Sequence, residues 1–441
     1  MNSPTIEPNG TVDSDPYAQP EKFCDLVMKG GITSGVVYPA AVCELAKTYS
    51  FKNIGGASAG AIAAATAAAA EYGRRTGAKP DGSNGFARLE KVPDWLARNL
   101  SSLFQPNPKT RPLYNIVLKA IGGKGGMLRK TMVLLPAAWR NFFWWALSGL
   151  VVGLLLLLPV VDFLPRPTNS VAWWVLYGYG GFMALLFVLL VVTVFVMIGL
   201  VRRVTRALPE NNYGLVSGLL DPQGNDRHPP LTTWMADELD RLAGKDRAHP
   251  LTFGDLRGAT GELDKRVLGA KHGGINLEMM TTNLTLGRPY RLPFDKSSTE
   301  YFYNPAEWSK FFPEHIVDWM LKHPRQSTHP PGARRERQLA EWESFKPCLP
   351  LPAPDDLPIV VAARMSLSFP VLISAVPLYT VDRSLPVPEG DEPKLERCLF
   401  SDGGISSNFP IHFFDKALPR WPTFGINLAS FNPAYPCDPE D

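Results

Sequence analysis

One stretch, "FKNIGGASAGAIAAATAAAAEYG" (51–73), limits the possible folds more than any other part of the chain. Just upstream, "TYSFKNIGG" spaces Tyr49, Phe51 and Ile54 and ends in paired glycines, as a short strand does. From Ala59 to Tyr72 the chain is almost only Ala, Ile and Thr, with no Gly or Pro after Gly60, which favours helix. A strand that runs directly into a helix through "GGASAG" must turn sharply at Ser58. Gly56 and Gly60 on either side allow a strained turn and close backbone approach. The bland alternative is one small residue among many at a helix start. The strand–turn–helix order favours the other reading, a nucleophile elbow with Ser58 at its apex. The helix N-terminus behind Ser58 would favour negative charge developing beside it.

Composition narrows the function classes. The chain has 441 residues and a net charge of +3, so composition points to no nucleic-acid partner. Five cysteines (24, 43, 348, 398, 437) lie scattered, without C-x-x-C pairs or His beside them. They predict neither a disulfide framework nor a zinc site, and fit a reducing compartment. "GGKGG" at 122–126 lacks the spacing and the hydroxyl residue of a P-loop. Residues 1–22 are polar and Pro-rich and read as a disordered lead-in rather than a signal peptide, and 431–441 as a short tail.

Two apolar runs interrupt the chain. Phe142 to Val161 gives 20 uncharged positions and Thr168 to Val201 gives 34. Twenty helical residues span about 30 Å, one bilayer core. A pair of buried core helices would show a polar stripe, which the second run lacks. The connection "DFLPRPTNS" is short, which predicts an antiparallel transmembrane helical hairpin over 136–206. Trp144, Trp145, Trp173, Trp174, Tyr177 and Tyr179 sit near the segment ends, where amphipathic rings favour the interface. Arg129, Lys130 and Arg140 precede the hairpin and Arg202, Arg203 and Arg206 follow it, so both flanks are expected in the cytoplasm. Elsewhere, 76–93 reads as a loop, 322–358 as a surface excursion with one short helix around "RRERQLAEWESF", and 275–294 as a β-hairpin.

Two further glycine-rich turns flank the central motif. In "CDLVMKGGITSGVVYPAAVCELA" a buried strand leads into Gly30-Gly31 and then a helix from Val36 to Ala46. Such a turn exposes backbone N–H groups able to bind a phosphate or an oxyanion. Near the C-terminus, "CLFSDGGISSNFPIHFFDKAL" delivers Asp402 from a short strand onto Gly403-Gly404. Taken alone, it is an ordinary Asp-Gly turn.

Together the three segments resemble the patatin-like phospholipase family, which joins a Gly-rich oxyanion loop, a G-x-S-x-G elbow and a D-G-[GA] motif. "AARMSLSFPVLISAVPL" (362–378) is similar to that family's small, Ser-containing segment, and "NFP" after the DGG also fits. The resemblance covers about 23–75 and 275–430. It implies a three-layer α/β/α sandwich in two sequence parts, 23–135 and 207–430, with the hydrophobic helical hairpin inserted between them. It also implies a Ser58–Asp402 dyad working through a covalent acyl-enzyme, with the amides of Gly30, Gly31 and Ile32 as oxyanion donors. In "GGITSG", Ile32 stands where the family has a third Gly and Ser34 where it has a basic residue; an Ile amide still donates. The implied partners are a lipid ester substrate and the bilayer, with no metal or other cofactor; the oligomeric state stays open. Two alternatives follow from the residues: a Ser–Asp–His triad using His412, and a membrane scaffold that keeps the fold without the activity.

Overall fold

The computed structural model describes residues 15–31, 37–77, 79, 82–122, 140–162, 170–219, 228–268, 273–294, 300–381 and 393–427. The chain divides into two compact units. The first takes Met1–Phe104, Asp226–Pro370 and Ala375–Asp441; the second takes Gln105–Asn225 and Val371–Ser374.

The strands in chain order are β1 (Lys22–Met28), β2 (Tyr49–Ala57), β3 (Gly214–Val216), β4 (Asn276–Asn283), β5 (Arg288–Leu292) and β6 (Phe302–Tyr303). They continue with β7 (Leu349–Pro350), β8 (Val371–Ile373), β9 (Val376–Val381), β10 (Leu395–Asp402) and β11 (Thr423–Ile426). In the first unit nine strands form one mixed sheet in the order β11-β1-β2-β4-β10-β9-β6-β7, with β5 paired to β4. β11, β1, β2 and β4 are mutually parallel, and from β4 through β10 to β7 every neighbouring pair is antiparallel. Helices flank this sheet, consistent with the α/β/α fold the sequence implied.

Helix α1 (Tyr38–Thr48) follows β1, and helix α2 (Ala59–Gly77) follows β2 with only Ser58 between them. Because the exposed side of α2 is nearly absent, its Ala residues are buried on almost every turn. Small side chains bring its backbone close to the sheet: a Cβ on Gly60 would lie 2.3 Å from the Met28 carbonyl oxygen of β1. The opposite face, where Val27, Ala57 and Met280 point, is covered by Phe413 and Phe414.

The far end of α2 is fixed by buried charge. Glu71 is fully buried and accepts from Arg75 Nε at 2.7 Å, from Ser50 Oγ at 2.9 Å and from Arg74. Arg75 also pairs with buried Asp264 at 2.8 Å, which Lys52 meets at 2.8 Å. Burial pushes the Glu71 carboxyl up, but Arg74 and Arg75 outweigh it and hold the group below the usual carboxylate range. Removing one member strands the buried charges that remain. Glu71→Ala should therefore cost about 3–5 kcal/mol of stability, read from denaturant unfolding of the purified chain. A loss under about 1 kcal/mol would show that the network does not hold the helix.

The second unit contains helices Phe143–Asp162 and Ser170–Glu210, with β3 and β8 pairing in parallel as a small separate sheet. Glycines seat one helix on the other. A Cβ on Gly149 would lie 2.9 Å from the Val192 Cα, and one on Gly199 would lie 2.6 Å from the Trp145 ring. Gly149 and Gly153 stand four apart, a spacing that lets apolar helices approach closely. Among the described residues, Tyr177–Glu210 is long and apolar enough to cross a membrane, while Phe143–Pro159 is a shorter apolar helix. The predicted hairpin bounds lie inside this unit. The unit is wider because Thr110 Oγ1 donates to the Leu215 carbonyl at 2.6 Å and Arg203 donates to the Lys109 carbonyl at 3.0 Å.

Several local expectations hold and others need correction. β4 and β5 form the hairpin expected over 275–294, and helix Ala333–Ser344 is the short helix expected in 322–358. The lead-in is not disordered throughout 1–22: Tyr17 is buried, its hydroxyl donating to Glu90 Oε1 at 2.6 Å and its ring 5.4 Å from that of Phe86. Nor is 76–93 all loop, because helix Gly85–Leu89 buries Phe86 and Leu89. Residues 1–14 and the tail 431–441 lie outside the described residues.

Candidate active site

Sheet register brings together residues that are distant in sequence. Ala57, the last residue of β2, pairs with Met280 of β4, and the next residue of β4, Thr281, pairs with Asp402, the last residue of β10. Ser58 and Asp402 thus leave the sheet at one level from strands flanking β4, whose backbones are about 9–10 Å apart. β10 runs antiparallel to β4, so the two catalytic candidates reach that level from opposite directions. Their side chains close the gap. Ser58 Oγ donates to Asp402 Oδ2 at 2.7 Å across 344 residues of sequence.

The turn at Ser58 is strained, and the strain sits on the serine itself. Ser58 has φ of 57°, in the left-handed region that L-residues avoid. Gly56 and Gly60 both have negative φ and contribute room instead of dihedral freedom: a Cβ on Gly56 would lie 2.2 Å from the Gly60 carbonyl oxygen. The expected elbow is present, but its glycines serve the packing of α2 against β1 and β2.

Asp402 is 2% exposed, and both carboxylate oxygens are engaged. Oδ2 accepts from Ser58, and Oδ1 accepts from the Gly404 N–H at 2.5 Å. Burial pushes its carboxyl above the usual range, while the hydrogen bonds from Ser58 and Gly404 pull it partly back. Thr282 Oγ1 donates to the Asp402 carbonyl at 2.9 Å. Gly403 lets the turn lie against β4, since a Cβ there would be 2.1 Å from the Met280 carbonyl oxygen.

The oxyanion side departs from expectation. The Gly30 N–H donates to the Asn408 carbonyl at 2.8 Å, so acting on an oxyanion would require it to share that proton. What Gly30 supplies here is space: a Cβ on it would lie 2.9 Å from the Ser58 Cβ and 2.2 Å from Asn408 Oδ1. Gly31 is half-buried at the start of the loop, and Ile32 and Ser34 lie outside the described residues. Asn408 was missed from sequence. It joins the loop before α1 to the Asp402 turn, and the "NFP" run was its signal. At the first turn of α2, the Ala59 N–H has no intrahelical acceptor, as at any helix start.

His412 stands apart from the pair. It is exposed, with its ring 5.3 Å from that of Phe413, and no hydrogen bond joins it to Ser58 or Asp402 among the described residues. Also among the described residues, no group of three or more His, Cys, Asp or Glu is placed to hold a metal.

The profile described as patatin-like phospholipase matches residues 26–415. A relative named RpoH suppressor, from Rhizobium meliloti (strain 1021), is 37% identical over 93% of this chain. The chain spans 66% of that relative's own length. The crystal structure of VipD from Legionella pneumophila aligns over 91% of this chain and 49% of its own, at 15% identity and a TM-score of 0.29.

Proposed function

Because the chain belongs to the patatin-like phospholipase family, a family of lipid acyl hydrolases, we propose that it is a membrane-anchored serine hydrolase that cleaves fatty-acyl esters through Ser58 and Asp402. The observation that carries this reading is the 2.7 Å hydrogen bond from Ser58 Oγ to a buried carboxylate whose other oxygen is held by a backbone amide. A carboxylate is a weak base towards a hydroxyl. Burial raises its basicity, and the left-handed turn aims the hydroxyl at it.

In the mechanism, Ser58 Oγ attacks the ester carbonyl while Asp402 Oδ2 takes its proton. The tetrahedral oxyanion is met by amides at the start of α2, Ala59 first, together with the loop that begins at Gly30-Gly31. One donor of this kind is worth about 3–4 kcal/mol in comparable sites. The intermediate collapses, the alcohol leaves with the proton from Asp402, and Ser58 carries the acyl group. Water then gives a proton to Asp402 and attacks the acyl carbon. Fatty acid departs as the proton returns to Ser58.

The helices of the second unit are the anchor in this reading. Trp144, Leu154, Leu155, Leu158, Phe182 and Leu190 are among the large apolar side chains that they expose. Apolar surface of that kind is suited to lipid. By the positive-inside rule, the basic flanks support a cytoplasmic side for the catalytic parts in this reading. Full-length protein should stay with membranes through a carbonate wash. After purification it should release fatty acid from vesicles of phosphatidylcholine, lysophosphatidylcholine or diacylglycerol, and the preferred vesicle identifies the ester. Release into the wash would overturn the anchor. No fatty acid from any of the three would overturn the hydrolase.

A further inference from the structure

The helix Ile359–Ser366 is buried along its whole length; its last residue bonds to Ser58, and Ser368, just past its end, bonds to Asp402. Ser366 Oγ accepts the backbone N–H of Ser58 at 3.1 Å, across 308 residues of sequence. Two residues on, the Ser368 carbonyl accepts the backbone N–H of Asp402 at 3.0 Å and Ser401 Oγ at 2.6 Å. Ser368 is itself held in place. Its hydroxyl accepts from Arg364 at 2.6 Å and donates to the Arg364 carbonyl at 3.0 Å. Arg364, Ser366 and Ser368 are all fully buried.

The Ser58 amide has a particular need for such a partner. It sits between β2 and α2 in a left-handed turn, outside both elements. Its proton goes to a side chain from elsewhere in the fold, the Ser366 hydroxyl. The same short segment thus grips the nucleophile at one residue and the base at the next but one.

We infer that Ser366 is a positioning residue for acyl transfer: its hydroxyl holds Ser58 in the left-handed turn, and its tether to Ser368 fixes the nucleophile at hydrogen-bond distance from Asp402. This rests on the hydrolase reading above. Ser366 touches no reacting atom, so its loss should slow acylation and leave substrate binding unchanged.

The test compares wild type, Ser366→Ala, Ser366→Cys and Ser366→Thr as purified full-length proteins. For each, the rate of covalent labelling by a fluorophosphonate is measured alongside kcat and KM for a soluble ester, per folded molecule. Loss of one buried hydrogen bond corresponds to about a 10- to 100-fold fall in labelling rate and kcat for Ser366→Ala. KM should stay within about threefold, less than one hydrogen bond is worth. Ser366→Thr, which keeps the γ-oxygen, should recover most of the rate, and Ser366→Cys should fall between. Should the Ala protein not fold, the Cys and Thr proteins carry the same comparison. Wild-type rates in the Ala or Cys protein, or a Thr protein as slow as either, would overturn the inference and leave the hydrolase reading standing. A wild-type protein that neither labels nor hydrolyses would end both.

Discussion

Ser58→Ala should lower ester hydrolysis by at least about 10⁴-fold, as loss of a serine nucleophile does elsewhere, while leaving the protein folded. The substitution removes one oxygen from a half-buried site. Ala meets the same left-handed φ that Ser58 already tolerates, so the strain is nearly unchanged. The N–H to Ser366 and the packing of Gly56 and Gly60 do not depend on the hydroxyl. What changes is Asp402. It loses one of the two hydrogen bonds that oppose burial, so its carboxyl should move further up. Hydrolysis per folded molecule is the measurement, with the unfolding midpoint as control. Activity within about tenfold of wild type, far short of the loss expected for a nucleophile, would mean that another group attacks the ester.

Asp402→Asn should cost nearly as much, about 10³- to 10⁴-fold. An Asn oxygen still accepts the Gly404 N–H, but its amide nitrogen then faces Ser58 Oγ and donates where a proton must be received. His412→Ala should stay within about threefold, as an exposed side chain with no bond to the dyad would. The reverse pattern would favour a triad. The pH profile gives an independent sign. Asp402 must be ionised to act as a base, and burial raises its folded pKa. Wild-type kcat/KM should therefore fall as pH drops through a midpoint above the ordinary carboxylate range, and residual activity of the Asn protein should lack that limb. A wild-type midpoint at or below that range would contradict a buried base.

Much of the fold was legible because local chemistry and global topology agree along 49–77. The spaced apolar residues of β2, the Gly-Ser-Gly turn and the Ala-rich α2 each state one element. The role of the glycines was legible only in part. Their spacing reads as dihedral freedom and close backbone approach alike, and only the register of α2 over the Met28 carbonyl shows that the need is space. Ser58 was legible from its strand–turn–helix setting, whereas Asp402 stood out only through the family resemblance, since its turn alone is an ordinary Asp-Gly turn. Their approach depends on Ala57 and Asp402 pairing with adjacent residues of β4, a non-local fact that no motif encodes. The oxyanion role of the Gly30 amide followed from the family resemblance, which says nothing about Asn408, 378 residues further on, taking its proton. Ser366 lay in a segment whose likeness to the family was plain, but "SLS" carries no sign of which hydroxyl faces the elbow. Glu71 and Arg75 stand where a helix would be expected to meet solvent. They are buried because Asp264 and Lys52 arrive from elsewhere in the chain.

The central claim is that Ser58, activated by Asp402 and not by a histidine, forms the covalent bond to the acyl group. It is tested most directly by treating the purified full-length protein with a fluorophosphonate and mapping the adduct by peptide mass spectrometry. One adduct is expected, on Ser58, formed at a near-wild-type rate in His412→Ala, sharply slowed in Asp402→Asn and absent in Ser58→Ala. An adduct on another residue, or ester hydrolysis that continues with Ser58 unmodified, would contradict it.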